Sequence, residues 1–185
     1  MTLENRRVAV YVSGSVAAYK SCDVITDLRK RGAAVRVAMT PGAQRFMSSL
    51  TLQSLSGHPV VSDLWAAPSG GHGMEHLTLS AWAELQVAVA ASASLLARLA
   101  HGLADDAVTA TALASTAPLL VAPAMETAMW EHLATRENIR LLAERGVLVV
   151  GPTVGRLASG HDGLGRLAEP AEIVEAAMAC LSAAG

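Results

Sequence analysis

Cysteine is scarce in this 185-residue chain, which has only Cys22 and Cys180. Neither belongs to a CxxC pair, so the sequence indicates neither a disulfide framework nor a zinc site. Histidine, aspartate and glutamate form no dense cluster either, and we expect no metal. Scarce cysteine is also typical of a reducing compartment, so we expect a cytoplasmic protein.

Charged and aromatic side chains are sparse too, at 16% and 3% of the residues. The formal net charge is −2 and no basic run occurs, which argues against nucleic acid as a partner. The longest apolar stretches are alanine-rich and interrupted by polar residues, so we expect no membrane span. The polar residues 1–7 are not typical of a signal peptide. In contrast, 52% of the residues are hydrophobic, which favours contacts between subunits.

Short apolar runs alternate along the chain with amphipathic segments. Strands are predicted at residues 8–12, 34–39, 85–89, 118–122 and 147–150. The main helices are predicted at residues 17–31, 93–102, 127–145 and 170–183. This order predicts a single α/β domain over residues 1–185 with a doubly wound parallel sheet, in which ligands bind beyond the carboxyl ends of the strands. Two glycine-rich stretches, residues 66–73 and 151–165, are predicted to be loops, the second a functional flap or disordered.

A tight turn of small residues follows the first predicted strand. It consists of Ser13, Gly14 and Ser15, and a predicted helix comes next. The first N–H groups of a helix lack partners, and the helix dipole adds about half a positive charge there. Gly14 would let the backbone approach an anion, and both serine hydroxyls would add donors. The turn is therefore a candidate phosphate site, although an ordinary turn between strand and helix uses the same residues and neither a Walker A loop nor GxGxxG is present.

His76 is the histidine whose position most favours chemistry. It follows the glycine-rich residues 66–73 and precedes the third predicted strand, so we expect its imidazole near the strand ends, where it could move protons. Met125 and Met129 have a spacing that is more typical of a core, but the adjacent Trp130 suggests an interface or a cofactor wall. The sequence has no GxSxG motif and so does not indicate a hydrolase of that type.

Six stretches that cover nearly the whole chain occur together in one family: residues 12–20, 37–46, 75–76, 99–106, 122–130 and 160–170. Each alone is a weak signal, but in this order they are highly specific. By them the chain resembles the homo-oligomeric flavin-containing cysteine decarboxylases. This family includes phosphopantothenoylcysteine decarboxylase and the enzymes that decarboxylate the C-terminal cysteine of ribosomal peptides.

The resemblance implies a flavodoxin-like, Rossmann-like fold and an FMN cofactor, with FAD as the alternative. The flavin would lie between the subunits of a homo-trimer or of a dodecamer. The residues implied at the cofactor are Gly14, Ser15 and Thr40 at its phosphate, and Phe46, Ser92 and Ser94 on the flavin side. Those implied at the substrate are the catalytic His76, the motif residues Met125, Glu126, Met129 and Trp130, and Ser159 in a substrate-clamp loop over residues 151–165.

The same family implies an oxidative decarboxylation. Flavin would oxidise the CH₂–S group of a terminal cysteine to a thioaldehyde, whose C=S group then accepts the electrons that departing CO₂ leaves behind. An enethiol results.

Three departures from the family pattern bear on this activity. Glu126 replaces the usual asparagine, and an ionised carboxylate would repel the substrate carboxylate that an amide can bind. Glu126 is then neutral, or the carboxylate is bound otherwise, or activity is changed. Residues 90–95 depart from the usual Pro-Ala-Ser/Thr-Ala-Asn-Thr, which puts flavin contacts there in question. Ser159 replaces the cysteine with which phosphopantothenoylcysteine decarboxylases reduce the enethiol.

The leading hypothesis is therefore a decarboxylase that acts on the C-terminal cysteine of a ribosomally made peptide and releases an aminoenethiol. A divergent phosphopantothenoylcysteine decarboxylase is the alternative enzyme. A hypothesis of another class is a catalytically impaired flavin-binding protein that serves as a regulatory or partner subunit, which Glu126 and residues 90–95 motivate.

Overall fold

Five parallel strands form the central sheet in this computed structural model, which describes residues 2–66 and 74–183. The strand order is β2-β1-β3-β4-β5, which is the flavodoxin-like arrangement and confirms the predicted sheet. The strands are β1 (Arg7–Val12), β2 (Ala34–Met39), β3 (Leu85–Ala91), β4 (Leu119–Pro123) and β5 (Leu148–Val149).

Helices cover both faces of this sheet. They are α1 (Ser21–Lys30), α2 (Ser49–Ser56), α3 (Glu75–Trp82), α4 (Ala93–His101), α5 (Ala107–Ala114), α6 (Thr127–Glu131), α7 (Leu133–Glu144) and α8 (Pro170–Ala183). Short 3-10 helices occupy Val16–Lys20 and Ala43–Arg45. The predicted helix over residues 127–145 is divided at His132, whose backbone leaves the helical region and whose Nδ1 accepts a hydrogen bond from the N–H of Ala134.

The core lies on both sides of the sheet because alternate strand residues face opposite helix layers. In β1, Val8, Val10 and Val12 pack in the cluster that includes α1 and α8. Ala9 and Tyr11 pack in the other cluster, with residues of α4 and α5. All seven residues of β3 are buried, as expected for a central parallel strand. Because helices cover both faces of the sheet, the candidate site lies at the ends of the strands.

The predicted loop over residues 151–165 is largely an antiparallel hairpin. Its strands are β6 (Thr153–Arg156) and β7 (Asp162–Arg166), paired through Val154 with Leu164 and through Gly155 with Gly163. The glycines suggested a loop because they interrupt any apolar alternation, but part of their role here is to allow close packing. The other predicted loop, residues 66–73, lies outside the described residues apart from Ala66.

Within residues 2–66 and 74–183, every helix is too short or too polar to cross a lipid bilayer.

Candidate active site

A cavity of about 640 Å³ lies beyond the carboxyl ends of β1, β3 and β4. Its volume falls within the range of small-molecule sites, and its place is the one expected for ligands of an open parallel sheet. The lining residues come from four parts of the chain: the turn and 3-10 helix after β1, the segment at Phe46, the loops after β3 and β4, and the hairpin.

The turn after β1 forms one wall of the cavity. A Cβ atom at Gly14 would lie 3.0 Å from the carbonyl carbon of Gly42, so a side chain there would force the two turns apart. The Ser15 hydroxyl donates to the carbonyl of Ala124 at 3.3 Å. Among the hydrogen bonds of the described residues, none uses the N–H of Gly14 or Val16. These two donors are therefore available to an anion, as the sequence predicted for this turn.

Ser13 has a different role from the one predicted. It is fully buried, its Oγ donates to the carbonyl of Ala90 at 2.8 Å, and it accepts from the N–H of Ser92 at 2.9 Å. The prediction that its hydroxyl donates to a phosphate is wrong, because that proton is already used. Ala90 has a φ of 54° at a bulge of β3, a conformation that costs an alanine about 1 kcal/mol or more. Ser13 stabilises this bulge.

The other predicted cofactor residues divide into two groups. Phe46 and Ser92 line the cavity, and Phe46 is 54% exposed. Thr40 is nearly buried and does not line it; its Oγ accepts from the N–H of Ala43 at 3.2 Å, at the base of the same wall. Ser94 is exposed on α4 and is not part of the lining. Leu95, where the family pattern has threonine, packs in the core at 2% exposure, so this departure serves packing.

The segment after β4 forms the opposite wall. Met125, Glu126 and Met129 line the cavity, whereas Trp130 does not. The Glu126 side chain points to the hairpin: its Oε2 accepts from the Ser159 hydroxyl at 2.8 Å, and its Oε1 accepts from the Ser159 N–H at 3.2 Å. Two residues that depart from the family pattern thus contact each other.

The hairpin closes one side of the cavity through Arg156, Leu157 and Ala158. Its second strand lies directly on the segment after β4, where the N–H of Met125 donates to the carbonyl of Gly165 at 3.0 Å. A Cβ atom at Gly163 would overlap the Oγ1 of Thr127, which shows how close the two segments are. Part of the predicted substrate-clamp loop, residues 151–165, therefore borders this cavity.

Three cations of the lining were not singled out from the sequence: Lys20, Arg156 and Arg166. Glu169 pairs with both Lys20 and Arg166, at 4.0 Å and 2.5 Å. Arg156 lies 4.0 Å from Asp162 across the hairpin. Glu126 is the acidic residue of the lining, so the cavity suits an anionic ligand. The sequence could have indicated them, because Lys20 and Arg166 lie in stretches that match the family and Arg156 lies in the predicted clamp loop.

No thiol lines this cavity. Cys22 lies in α1 and Cys180 in α8, both half-buried, and burial raises the pKa of each thiol. Neither is among the residues of the cavity, and the chain has no further cysteine.

His76 lies apart from this cavity within one chain. It is in the first turn of α3 and lines a second hollow with Leu64, Trp65, Met74, Ala104, Ala110, Leu113 and Ala114. The rim of this hollow is apolar and open, since Trp65 is 80% exposed and Leu113 is 62% exposed. The structure therefore brings together the predicted phosphate turn, flavin side and substrate motif, but not the predicted catalytic histidine.

The sequence matches the Flavoprotein family over residues 1–182. It is 43% identical over 182 residues to the Coenzyme A biosynthesis bifunctional protein CoaBC of Escherichia coli (strain K12), a match that covers 98% of this chain and 45% of that protein. The CoaBC protein of Bacillus subtilis (strain 168) is 42% identical over 175 residues, 95% of this chain and 43% of its own. The chain thus spans somewhat less than half the length of the curated relatives it matches.

Solved structures agree with these matches. The FMN-dependent cysteine decarboxylase SpaF has a TM-score of 0.84 and 32% identity, over 98% of this chain and 99% of its own. A PPC decarboxylase mutant complexed with pantothenoylaminoethenethiol has a TM-score of 0.83 and 33% identity, over 95% of this chain and 98% of its own. These likenesses confirm the predicted fold and support the predicted flavin cofactor and decarboxylase class. The chain belongs to the Flavoprotein family.

Proposed function

We propose that the cavity binds FMN and that the chain, assembled as a homo-oligomer, decarboxylates a substrate that ends in cysteine and releases an enethiol. One observation carries this proposal. The phosphate turn at Gly14, the flavin-side Phe46 and the substrate motif at Met125 line a single cavity, and the hairpin that bears Ser159 covers it.

The residues present fit FMN. Its phosphate would accept from the unused N–H groups of Gly14 and Val16, with Lys20 nearby to balance charge. Its ring would lie between Phe46 and Ser92. Bound flavin supplies a two-electron oxidant for a cysteine CH₂–SH group. The resulting C=S group accepts the electrons that departing CO₂ leaves behind, which permits the decarboxylation. The protein orients the substrate for this step.

Ser159 and the lack of a cavity thiol support the enethiol as the product. A hydroxyl is a far weaker acid than a thiol and does not supply the proton or the redox chemistry of a cysteine. A PPC decarboxylase mutant in which serine replaces a cysteine was solved with pantothenoylaminoethenethiol, which is itself an enethiol. The present chain carries serine at the corresponding position of the family pattern.

The position of His76 supports a site shared between subunits. This histidine does not line the cavity of its own chain, but it lies in an open apolar hollow rimmed by Trp65, Met74 and Leu113. Exposed apolar area of this kind is typical of subunit contacts. In a homo-trimer, the hollow of one subunit would meet the cavity of the next, and His76 would then move protons for its neighbour.

The C-terminal cysteine of a peptide is our first candidate substrate, because Ser159 favours an enethiol that another enzyme could cyclise. Phosphopantothenoylcysteine is the second candidate. Identity of 43% to a coenzyme A biosynthesis protein favours it, as does the cationic lining, which could hold a phosphate.

The test is incubation of the flavin-loaded protein with each of the two substrates, followed by mass spectrometry. We expect the peptide to lose CO₂ and two hydrogens, the mass change of an enethiol. Reaction of phosphopantothenoylcysteine alone would reverse the order of the candidates. Loss of CO₂ without two hydrogens would contradict the enethiol. If both substrates emerged unchanged from an intact, flavin-loaded oligomer, the chain would be a partner or regulatory subunit.

A further inference from the structure

Glu126 is fully engaged by the hairpin. Both of its carboxylate oxygens accept hydrogen bonds from Ser159, one from the N–H and one from the hydroxyl. Among the side-chain hydrogen bonds, these two join the hairpin tip, residues 156–162, to the rest of the described chain. Glu126 thus occupies the place of the family asparagine but binds the hairpin tip. Another residue of the cavity must therefore bind the negatively charged carboxylate of the substrate.

Of the three cations in the lining, Arg156 is the best placed to bind the substrate carboxylate. Lys20 and Arg166 both pair with Glu169, away from the hairpin tip. Among the ion pairs of the described residues, Arg156 takes part in one alone, with Asp162 at 4.0 Å, which is beyond hydrogen-bond distance, and both side chains are 71% exposed. It lies three residues before Ser159, on the part of the hairpin that Glu126 holds. A guanidinium presents paired N–H donors that match a carboxylate.

We propose that Arg156 binds the carboxylate that the substrate loses, and that Glu126 is a positioning residue that holds the hairpin so that Arg156 reaches into the cavity. This inference rests on the proposed function, because it assigns the specificity of that same site. It assigns opposite roles to the two residues: loss of the Arg156 charge removes recognition of the carboxylate, whereas loss of the Glu126 charge does not.

The experiment measures how strongly the site prefers a free carboxylate. The ligands are the reactive substrate with its terminal cysteine replaced by serine, which cannot be oxidised at sulfur, prepared as the acid and as the amide. Calorimetric titration of each into the FMN-loaded oligomer gives two affinities. We expect the acid to bind wild-type protein about tenfold to a hundredfold more tightly than the amide, as for a hydrogen-bonded ion pair.

Three variants decide the assignment. Arg156→Gln should abolish the preference and leave amide binding unchanged. Glu126→Gln should keep the preference, because the glutamine amide can still accept from the Ser159 N–H and can donate to the Ser159 hydroxyl, so that the hairpin stays in place without the charge. Arg136→Gln removes an exposed arginine of α7 and should match the wild type. An Arg156→Gln protein that still prefers the acid, or a Glu126→Gln protein that does not, overturns the inference.

The two proposals fail in different ways. If the wild type decarboxylates its substrate and Arg156→Gln keeps the wild-type preference, the role of Arg156 is wrong and the proposed function stands. If the FMN-loaded wild type neither binds the ligands nor decarboxylates either substrate, both proposals are wrong.

Discussion

The carbonyl oxygen of Met125 occupies the space that a side chain at Gly165 would need. A Cβ atom at position 165 would overlap that oxygen, and Gly165 has a φ of 150°, where side chains are rarely found. The Met125 N–H also donates to the Gly165 carbonyl. Through this contact the hairpin lies against the cavity wall.

We expect Gly165→Ala to detach the hairpin from the cavity wall. Overpacking and strain at such a site cost about 3 kcal/mol or more, which the chain can relieve by releasing the hairpin while the sheet stays folded. Hydrogen exchange of residues 153–166 should therefore become faster, with the exchange of β1 and β3 unchanged.

Gly102→Ala is the matched control. Gly102 ends α4 with a φ of 67° and has nothing within 4 Å of a built Cβ atom, so alanine adds about 1 kcal/mol of backbone strain without overlap. If residues 153–166 were equally protected from hydrogen exchange in Gly165→Ala and Gly102→Ala, the contact between Gly165 and Met125 would not be what holds the hairpin.

Ser13 should be important for stability although it binds no ligand. Ser13→Ala removes two buried hydrogen bonds and leaves the Ala90 carbonyl and the Ser92 N–H without them. We expect the free energy of unfolding to fall by about 3 kcal/mol in urea denaturation. Ser54→Ala, on the exposed face of α2, should change it by less than about 0.5 kcal/mol. A Ser13 variant as stable as the Ser54 variant would mean that the bulge at Ala90 needs no such support.

The bond between Glu126 and Ser159 should hold the hairpin tip in place. Ser159→Ala removes the hydroxyl that donates to Glu126 at 2.8 Å and leaves the backbone bond at 3.2 Å. We expect faster hydrogen exchange at residues 156–162, because the tip is joined to the body of the described chain mainly by this residue. Exchange in α8 serves as the internal reference. Unchanged exchange at the tip would show that other contacts hold it.

Mixing two inactive variants tests whether His76 acts in a neighbouring subunit. His76→Asn removes the imidazole but keeps the cavity, whereas Gly14→Val forces the turn away from Gly42 and should prevent cofactor binding in its own chain. Each variant alone should be inactive. Mixed oligomers reassembled from both should regain part of the activity, because the cavity of one can use the His76 of the other. Inactive mixed oligomers of confirmed composition would place the histidine and the cavity in one chain.

The sheet and the turn after β1 could be predicted from sequence because both are local signals. Apolar strands such as residues 8–12 alternate with amphipathic helices, and Gly14 follows a strand directly. The hairpin over residues 153–166 was missed because its glycines are explained by partners far away in sequence, such as Met125 for Gly165. Local patterns contain no information on such contacts.

The roles of individual polar groups could also not be predicted from the sequence. Ser13 and Ser15 look equivalent in the turn, yet only the structure shows that the Ser13 hydroxyl is bound inside the core. Glu126 and Ser159 were each recognised as departures from the family, but 33 residues separate them and nothing in the pattern joins them. His76 lies in a stretch that matches the family, but the sequence did not indicate that it lines a different hollow from the cavity of its own chain.

The amount of FMN bound per chain tests whether this cavity is the flavin site. We expect purified wild-type protein, reconstituted with FMN and freed of excess, to bind one FMN per cavity, and folded Gly14→Val protein to bind almost none. Gly146→Ala, which has open space around its Cβ atom, should bind as much as the wild type. A wild-type protein that takes up no FMN, or a Gly14→Val protein that retains it fully, would contradict the assignment of this cavity.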